Sequence, residues 1–560
     1  MMVDNNDAII VTVEAFRLSV VVSSPPRLSS SSSSSPIKSD NYYDDFDVEN
    51  GNVDNNYHLL ASLRQRRRSL NSRLYDRWTS GNTTSSRIGF TINESFYNNS
   101  TSRFDWVRKL AIGTYPRVVC GSASGAIYVA DVEEGKLLAS ASCAHYPSTS
   151  CNDDDEDDDD DLLEGEDNFA LLRFLYGDYD GGGVLAVAMT SSPVHSDRSV
   201  DLIASAGREG GVKLHKVVSG SDELKYIGSV PMCSDDDNHN DDDNSVIITC
   251  LKFDSVGRLY AGGGDGRLRV TIFDNDNSNK EVGMRTTLIP SQVNPSSSSS
   301  FSSLWKWKQG ELDSAKYLSP ILAIDISESL NLIATTHANG DVCVYSLHNG
   351  VKDDDNALTL LGVWNPFADT NDSSHARSVT FVSCGREQGE NDVEDDIDDA
   401  NPSWSIVVGG GNGQMWVQEL HPSYYANDGT TTTSTTMSSI TMNREGNIPL
   451  FLENTMQQIK PPHNGPVVAL ASRSGGVLVS AGHDGVLRVS QISTTSCTSK
   501  QLQSQINPER VPPPKALYGL GGYKVWIGNI CIDDEGKRLL SDGRDDVVVV
   551  HDFSLKDDDK

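Results

Sequence analysis

Paired cysteines are missing from this 560-residue chain. Its nine cysteines (Cys120, Cys143, Cys151, Cys233, Cys250, Cys343, Cys384, Cys497 and Cys531) stand singly, with no CxxC and no Cys/His couple at ligand spacing. That excludes a zinc-finger type of site and argues against a disulfide framework. Reduced thiols suit a cytoplasmic or nuclear protein, which is the expected location. Positive charge is scarce as well: 46 Lys and Arg against 79 Asp and Glu give a formal net charge of -33. An acidic surface repels phosphates, so no broad nucleic-acid interface is expected, although a local basic patch can still bind. Long apolar runs are lacking. Ile9 to Val22 is interrupted by Glu14 and Arg17 and preceded by Asp4 and Asp7, which makes a poor signal peptide, and no other stretch has the length of a membrane span. The sequons at Asn82, Asn93 and Asn99 matter only on a secreted chain.

Catalytic signatures are absent too. There is no P-loop, nucleophile elbow, HExxH or repeated Asp-box. The glycine clusters Gly262–Gly266 and Gly409–Gly413 are each followed by a strand pattern, not by the helix N-terminus that gives phosphate loops their anion affinity, so they read as turns. The twelve histidines are dispersed, and His215 and His551 fall at strand ends, where a surface histidine is the ordinary explanation. No metal or organic cofactor is expected.

What is present is a repeated hairpin. LYAGGGDGRLRVTIFD (Leu259 to Asp274) alternates into a glycine-rich reversal and out again, with Asp265 before Gly266 to supply the positive φ of the turn. The same plan recurs at Arg117–Asp131, Asp201–Val217, Asn331–Leu347, Ser405–Leu420, Gly476–Ile492 and Arg538–Phe553. Each copy follows a short, nearly continuous apolar run, the mark of a strand buried on both faces. Most precede a weaker fourth strand, as at Lys136, Leu224, Gly283 and Leu358. Four strands in seven repeats predict an all-β chain, a seven-bladed β-propeller of four-stranded antiparallel blades. Low-complexity insertions separate the copies: the Asp runs after Cys151 and Ser234, Ser296–Ser300, the acidic stretch after Gly389 and a threonine-rich stretch near Thr430. These read as long acidic and Ser-rich loops, which cost little because closure entropy grows slowly with length.

The expected organisation is a disordered, low-complexity region over 1–56, a basic amphipathic helix and linker over 57–86, the propeller over 87–555 and a charged tail over 556–560. In the helix, Leu59, Leu63, Leu70, Leu74 and Trp78 recur at helical spacing among six arginines. It suits packing on the propeller's flank, nuclear import or partner docking. For ring closure, the alternating Ile88, Phe90 and Ile92 are the candidate for the outer strand missing from the last copy.

On these residues the repeats resemble the WD-repeat family over about 87–553. The best local match is His463-Asn464-Gly465-Pro466-Val467 with Leu470, Ser480, Asp484 and Gly485. The resemblance implies that His463, Ser480 and Asp484 hydrogen-bond together to lock a blade, in a network truncated because the family's Trp position falls on Ser490. The turn acid persists at Asp265 and Asp545 and is replaced by Asn339, Asn412, Glu209 or Ser124. The family's terminal dipeptide survives only as Ala130-Asp131, Phe273-Asp274 and His551-Asp552.

The resemblance also implies a non-catalytic scaffold or adaptor that binds other proteins through propeller loops. One alternative is a ubiquitin-ligase substrate receptor, for which the helix 57–78 is the only adaptor-binding candidate and carries no F-box pattern. The other is a propeller enzyme or small-ligand binder, which needs polar groups converging from several blades at one channel mouth. A mouth lined by small and apolar residues would exclude it. Candidate contact residues are Arg208, Arg267 and Arg544, at equivalent or adjacent turn positions, and Trp305 and Trp307 in a Ser-rich loop, because Arg and Trp are enriched at interface hot spots. Nothing in the sequence indicates an oligomeric state.

Overall fold

The computed structural model describes residues 66, 69–89, 107–141, 144–145, 183–190, 201–207, 209–217, 223–230, 246–274, 283–289, 319–347, 358–368, 374–384, 403–421, 450–452, 455–493, 513–521, 523, 526–542 and 547–554. The chain divides into Met1–Ser62 and Leu63–Lys560, and all described residues lie in the second unit.

After β1 (Thr84–Gly89), blade I comprises β2 (Val107–Ile112), β3 (Arg117–Ser122), β4 (Ile127–Asp131) and β5 (Lys136–Ala141). Blade II is β6 (Val184–Thr190), β7 (Leu202–Gly207), β8 (Val212–Val217) and β9 (Leu224–Val230). Blade III is β10 (Ile248–Phe253), β11 (Leu259–Gly263), β12 (Leu268–Asp274) and β13 (Gly283–Ile289), and blade IV is β14 (Ile321–Ser327), β15 (Leu332–His337), β16 (Val342–Ser346) and β17 (Thr359–Trp364). Blade V is β18 (Ala376–Cys384), β19 (Ser403–Gly410), β20 (Met415–Glu419) and β21 (Gln457–Ile459). Blade VI is β22 (Val467–Arg473), β23 (Val477–Gly482), β24 (Leu487–Gln491) and β25 (Lys515–Leu520). Blade VII takes β26 (Ile530–Ile532), β27 (Arg538–Asp542) and β28 (Val547–Asp552) from the end of the chain and β1 from its beginning.

These seven four-stranded sheets form a closed β-propeller, with the first strand of each blade against the first strand of the next and β26 against β2. The core is divided into seven clusters, each shared by two adjacent blades. Tyr260, Leu268, Ile333 and Tyr345 join III to IV, for instance, and Val118, Tyr128, Leu540 and Val548 join VII to I. Because each sheet buries both faces against neighbours, its central strands read as apolar on every residue: β7, β15 and β23 are buried throughout.

In blades I to VI the innermost strand slips register once near its start, at Val107/Lys109, Val184/Ala186, Ile248/Cys250, Ile321/Ala323, Ala376/Ser378 and Val467/Ala469. Each slip is a bulge that leaves one residue unpaired at the rim of the channel. In blades I and V that residue is arginine, Arg108 and Arg377.

The closing strand pairs Thr84 with Asp552 through to Gly89 with Val547. It begins ahead of the expected alternation. Ile88 is buried in the VII/I cluster, whereas Phe90 and Ile92 lie outside the described residues. Just before it, α1 (69–80) packs on blades VI and VII. Trp78 is fully buried, stacks on Phe553 at 3.8 Å between ring centroids and donates Nε1–H to Gly536 O at 2.8 Å. One turn earlier Leu74 is buried beside it, and Tyr75 Oη donates to Gln491 Oε1 at 3.0 Å. Arg66, Ser69, Leu70 and Arg73 are exposed. Among the described residues no helix is long and apolar enough to cross a membrane.

Candidate functional site

Two surfaces can carry function: the face bearing the turns between second and third strands, and the central channel. On the turn face, Gly125, Gly266, Gly340, Gly413 and Gly485 all lie at φ between 70° and 92°, a region that side chains with a Cβ rarely enter. Before four of these glycines the preceding residue closes the turn. Asp265 Oδ1 accepts the Arg267 N–H at 3.1 Å, Asn339 Oδ1 that of Asp341 at 3.1 Å, Asn412 Oδ1 that of Gln414 at 3.1 Å, and Asp484 Oδ1 that of Val486 at 3.3 Å. Asp545, Arg208, Arg544, Trp305 and Trp307 lie outside the described residues. Of the five candidate contacts only Arg267 is described, and its side chain is exposed at the turn.

His463, Ser480 and Asp484 come together in blade VI. His463 Nδ1 lies 2.9 Å from Asp484 Oδ1, and its Nε2 lies 2.8 Å from Ser480 Oγ. Burial lowers the His463 pKa against the opposing Asp484 bond, so the ring is neutral, donating from Nδ1 and accepting the Ser480 hydroxyl at Nε2. Burial alone would raise the Asp484 carboxyl, but the His463 bond and the Asn464 N–H outweigh it and hold the group below its ordinary value.

The same constellation occurs in blade II without any cue from the sequence. His145 Nδ1 lies 2.5 Å from Glu209 Oε1, and its Nε2 lies 2.8 Å from Ser205 Oγ. The long acidic insertion between His145 and its strand breaks the short spacing that marks His463. A second regularity was also missed: a base four residues after the turn acid pairs with it. Lys213 meets Glu209 at 2.8 Å, Arg488 meets Asp484 at 3.3 Å, and the fully buried Arg269 forks onto Asp265 at 3.0 and 2.6 Å. The D/E-x3-K/R spacing is its signal.

Serine, histidine and acid in hydrogen-bonded order are the parts of a hydrolase triad. Here Ser480 and Ser205 are both fully buried, so no substrate reaches either hydroxyl and the arrangement clamps the blade. Four of the described thiols are poor nucleophiles as well. Burial pushes Cys250 and Cys343 up to about 12 and Cys120 and Cys531 higher still, which keeps them protonated.

Two expectations are corrected. His215 and His551 are 3% exposed, not surface residues. They occupy the third-strand position of Ser490, opposite Ile203, Leu539 and Leu478 respectively. His551 Nε2 lies 2.8 Å from Tyr523 Oη, which also bonds Ser541 Oγ at 2.6 Å, so the three side chains form one hydrogen-bonded chain in blade VII. In blade III the equivalent position, opposite Leu259, is Thr271. The pair Phe273-Asp274 is therefore two residues beyond the place assigned to it from the sequence.

The channel is lined by innermost strands, and its side chains tie blades together. Lys252 pairs with Asp325, whose Oδ2 accepts Thr380 Oγ1–H at 3.1 Å and the Phe381 N–H at 2.9 Å, while Ser472 donates to Phe381 O at 2.5 Å. Four successive blades, III to VI, are thus joined. Toward the turn face, Thr249 donates to Ile321 O, Ser378 to Val467 O at 2.9 Å and Asn529 Nδ2 to Leu110 O at 3.0 Å.

The two channel ends differ in charge. At the turn-face end stand Arg108, Lys109 and Arg377, with Asp542 capping the Gly528 and Asn529 N–H groups at 2.9 to 3.0 Å. Burial lowers Lys109, with Arg377 and Arg108 pushing the same way against Asp542, and burial raises Asp542 to about 7. At the opposite end Asp533 and Glu328 add to burial in raising Asp534. Among the described residues no group of three His, Cys, Asp or Glu is placed to hold a metal. The condition for excluding a channel ligand, a mouth of small and apolar residues, is not met.

Compared with models of known protein families and with curated protein sequences, the chain matches none.

Proposed function

We propose that the chain is a degenerate WD-repeat protein acting as a non-catalytic scaffold or adaptor, which binds other proteins through the face bearing the turns. Propellers commonly mediate protein interactions, and the observation that carries this reading is how the repeated polar residues are used. The Ser–His–acid sets at His463 and His145 and the acid–base pairs at Asp265, Glu209 and Asp484 are turned inward onto their own blades. They hold the disc rigid and leave partner choice to positions that do not repeat. Arg267, exposed at the rim of this face, is one such position.

The ubiquitin-ligase reading receives less support. In the described part of α1 Leu74 and Trp78 are spent on the propeller, which leaves Leu70 as the exposed large apolar side chain there for an adaptor.

Affinity purification of the tagged chain, with mass-spectrometric identification of co-purifying proteins, tests the proposal. The wild type should recover a reproducible set of proteins, and Arg267→Glu should reduce that recovery with an unchanged melting temperature. Recovery of nothing above a tag-only control would sink the scaffold reading. Equal recovery by Arg267→Glu would move the contact off this turn.

A further inference from the structure

We infer that Ser69, at the start of α1, is a phosphorylation site for a protein kinase that recognises arginine on the N-terminal side of its target. Ser69 follows Arg66-Arg67-Arg68, and no other serine or threonine of the chain has more than one Lys or Arg among the three residues before it. A kinase groove that reads arginine does so with carboxylates, and a chain of net charge -33 repels such a groove over most of its length. Leu70, the residue after Ser69, is 39% exposed and offers the same groove an apolar contact.

The fold leaves this site open. Arg66, Ser69, Leu70, Asn71 and Arg73 are exposed, and the side chains that anchor α1 on the propeller, Leu74, Tyr75 and Trp78, all lie further along. For Ser69 to enter an active site its turn has to unwind. A turn whose side chains are exposed opens at little cost and leaves the anchored turns in place. The other hydroxyls of α1 are worse placed: Ser72 is half-buried, while Thr79 donates back to Asp76 O at 3.2 Å and Ser80 to Arg77 O at 3.3 Å. In the transfer the Ser69 hydroxyl gives its proton to the kinase's catalytic carboxylate as Oγ attacks the γ-phosphorus of a nucleoside triphosphate. The Oγ–P bond forms, the bond from that phosphorus to the bridging oxygen breaks, and the nucleoside diphosphate leaves. The product adds about 1.5 to 2 negative charges. Arg66 lies three residues before Ser69 and Arg73 four after it, which on a helix puts both guanidinium groups on the face of the phosphate. Charge-assisted bonds to them firm the end of α1 that the anchors do not hold.

The site stands independently of the scaffold reading, since it concerns α1 and not the turn face. In the test the folded full chain is incubated with magnesium ATP and the catalytic subunit of cyclic-AMP-dependent protein kinase, an arginine-directed enzyme, and the product is mapped by tandem mass spectrometry. Ser69 should take up phosphate ahead of every other residue. Ser69→Ala should remove that product and melt at the wild-type temperature, and Arg66→Ala should lower kcat/KM for the transfer by about tenfold or more. No phosphate at Ser69, phosphate there only after the chain has been unfolded in urea, or an equal kcat/KM in Arg66→Ala would overturn the inference. Hydrogen exchange reads what the phosphate does. Amides of residues 69–73 should exchange about twofold or more slower in the phosphorylated chain than in the unmodified one, and Arg73→Ala should cancel most of that difference. Exchange that is unchanged or faster on phosphorylation would overturn the bridge to Arg66 and Arg73.

Discussion

His215, His375 and His551 lie in blades II, V and VII and share a titration behaviour that follows from burial. Burial lowers each of them to about 4 from an ordinary 6.5. On acidification through that window the unfolded chain takes up protons that the folded chain refuses, so stability falls, by up to about 1.4 kcal/mol per pH unit for each group. Asp542 works in the opposite sense. Raised by burial to about 7 from 3.8, it takes its proton first in the folded state and adds stability as pH falls between those values. Three groups against one leave a net loss. The melting temperature should therefore drop from about pH 7 to about pH 4.5, and Asp542→Asn should steepen the drop. An unchanged slope in the variant would mean that Asp542 is ionised in the fold. At this scale the sequence was only half legible. His463 announces itself by its distance from Ser480 and Asp484, while His145 does the same work across an insertion that erases the spacing. His215 and His551 looked peripheral because strand ends usually face water, but here the third strand's end is covered by the neighbouring sheet position and by Tyr523.

Strands differ in how well their sequences declare them. The inner three of each blade alternate or run apolar because blades sandwich them, and their turns carry a glycine that the positive φ requires. Outer strands such as β17 and β25 bury none of their residues fully and expose two of the six. Their residues are chosen for pairing more than for packing, so the polar QQI of β21 and TSSRIG of β1 carry little signal. The helix α1 reverses this: its 3.6-residue apolar spacing was plain, but its destination was not, since Trp78 suits an external partner as well as Phe553. Because that indole is fully buried, stacked and hydrogen-bonded, Trp78→Ala should lower the unfolding free energy by about 3–5 kcal/mol. Urea denaturation should show the midpoint falling at constant m-value. A change near zero would place α1 off the propeller in solution.

At the level of the whole ring, seven shared cores make each blade the wall of two neighbours, so a blade cannot be removed without exposing two apolar faces. Closure depends on β1, whose Ile88 enters the VII/I cluster and whose backbone covers the open edge of β28. Ile88→Asp should lower the melting temperature sharply and broaden the transition by separating blade VII from the rest. Melting as cooperative and as high as the wild type would refute closure by this strand. The blade count and order were readable because the insertions fall in connections and leave the register of the strands intact. Charge placement inside the channel was not, because Arg108, Lys109 and Arg377 look like ordinary strand residues until the ring makes theirs the innermost strands.

The β1–β28 pair also orders events in time. A ribosome delivers β1 ahead of blades I to VI and β28 only after them, with Gly89 and its partner Val547 separated by almost the whole propeller. At about 5–20 residues per second the nascent chain carries an unmated edge strand, and a tryptophan with no Phe553 to cover it, for roughly half a minute or more. The waiting segment is polar at TSSR and has arginines around α1, residues of the kind that discourage an open strand from pairing with the wrong neighbour.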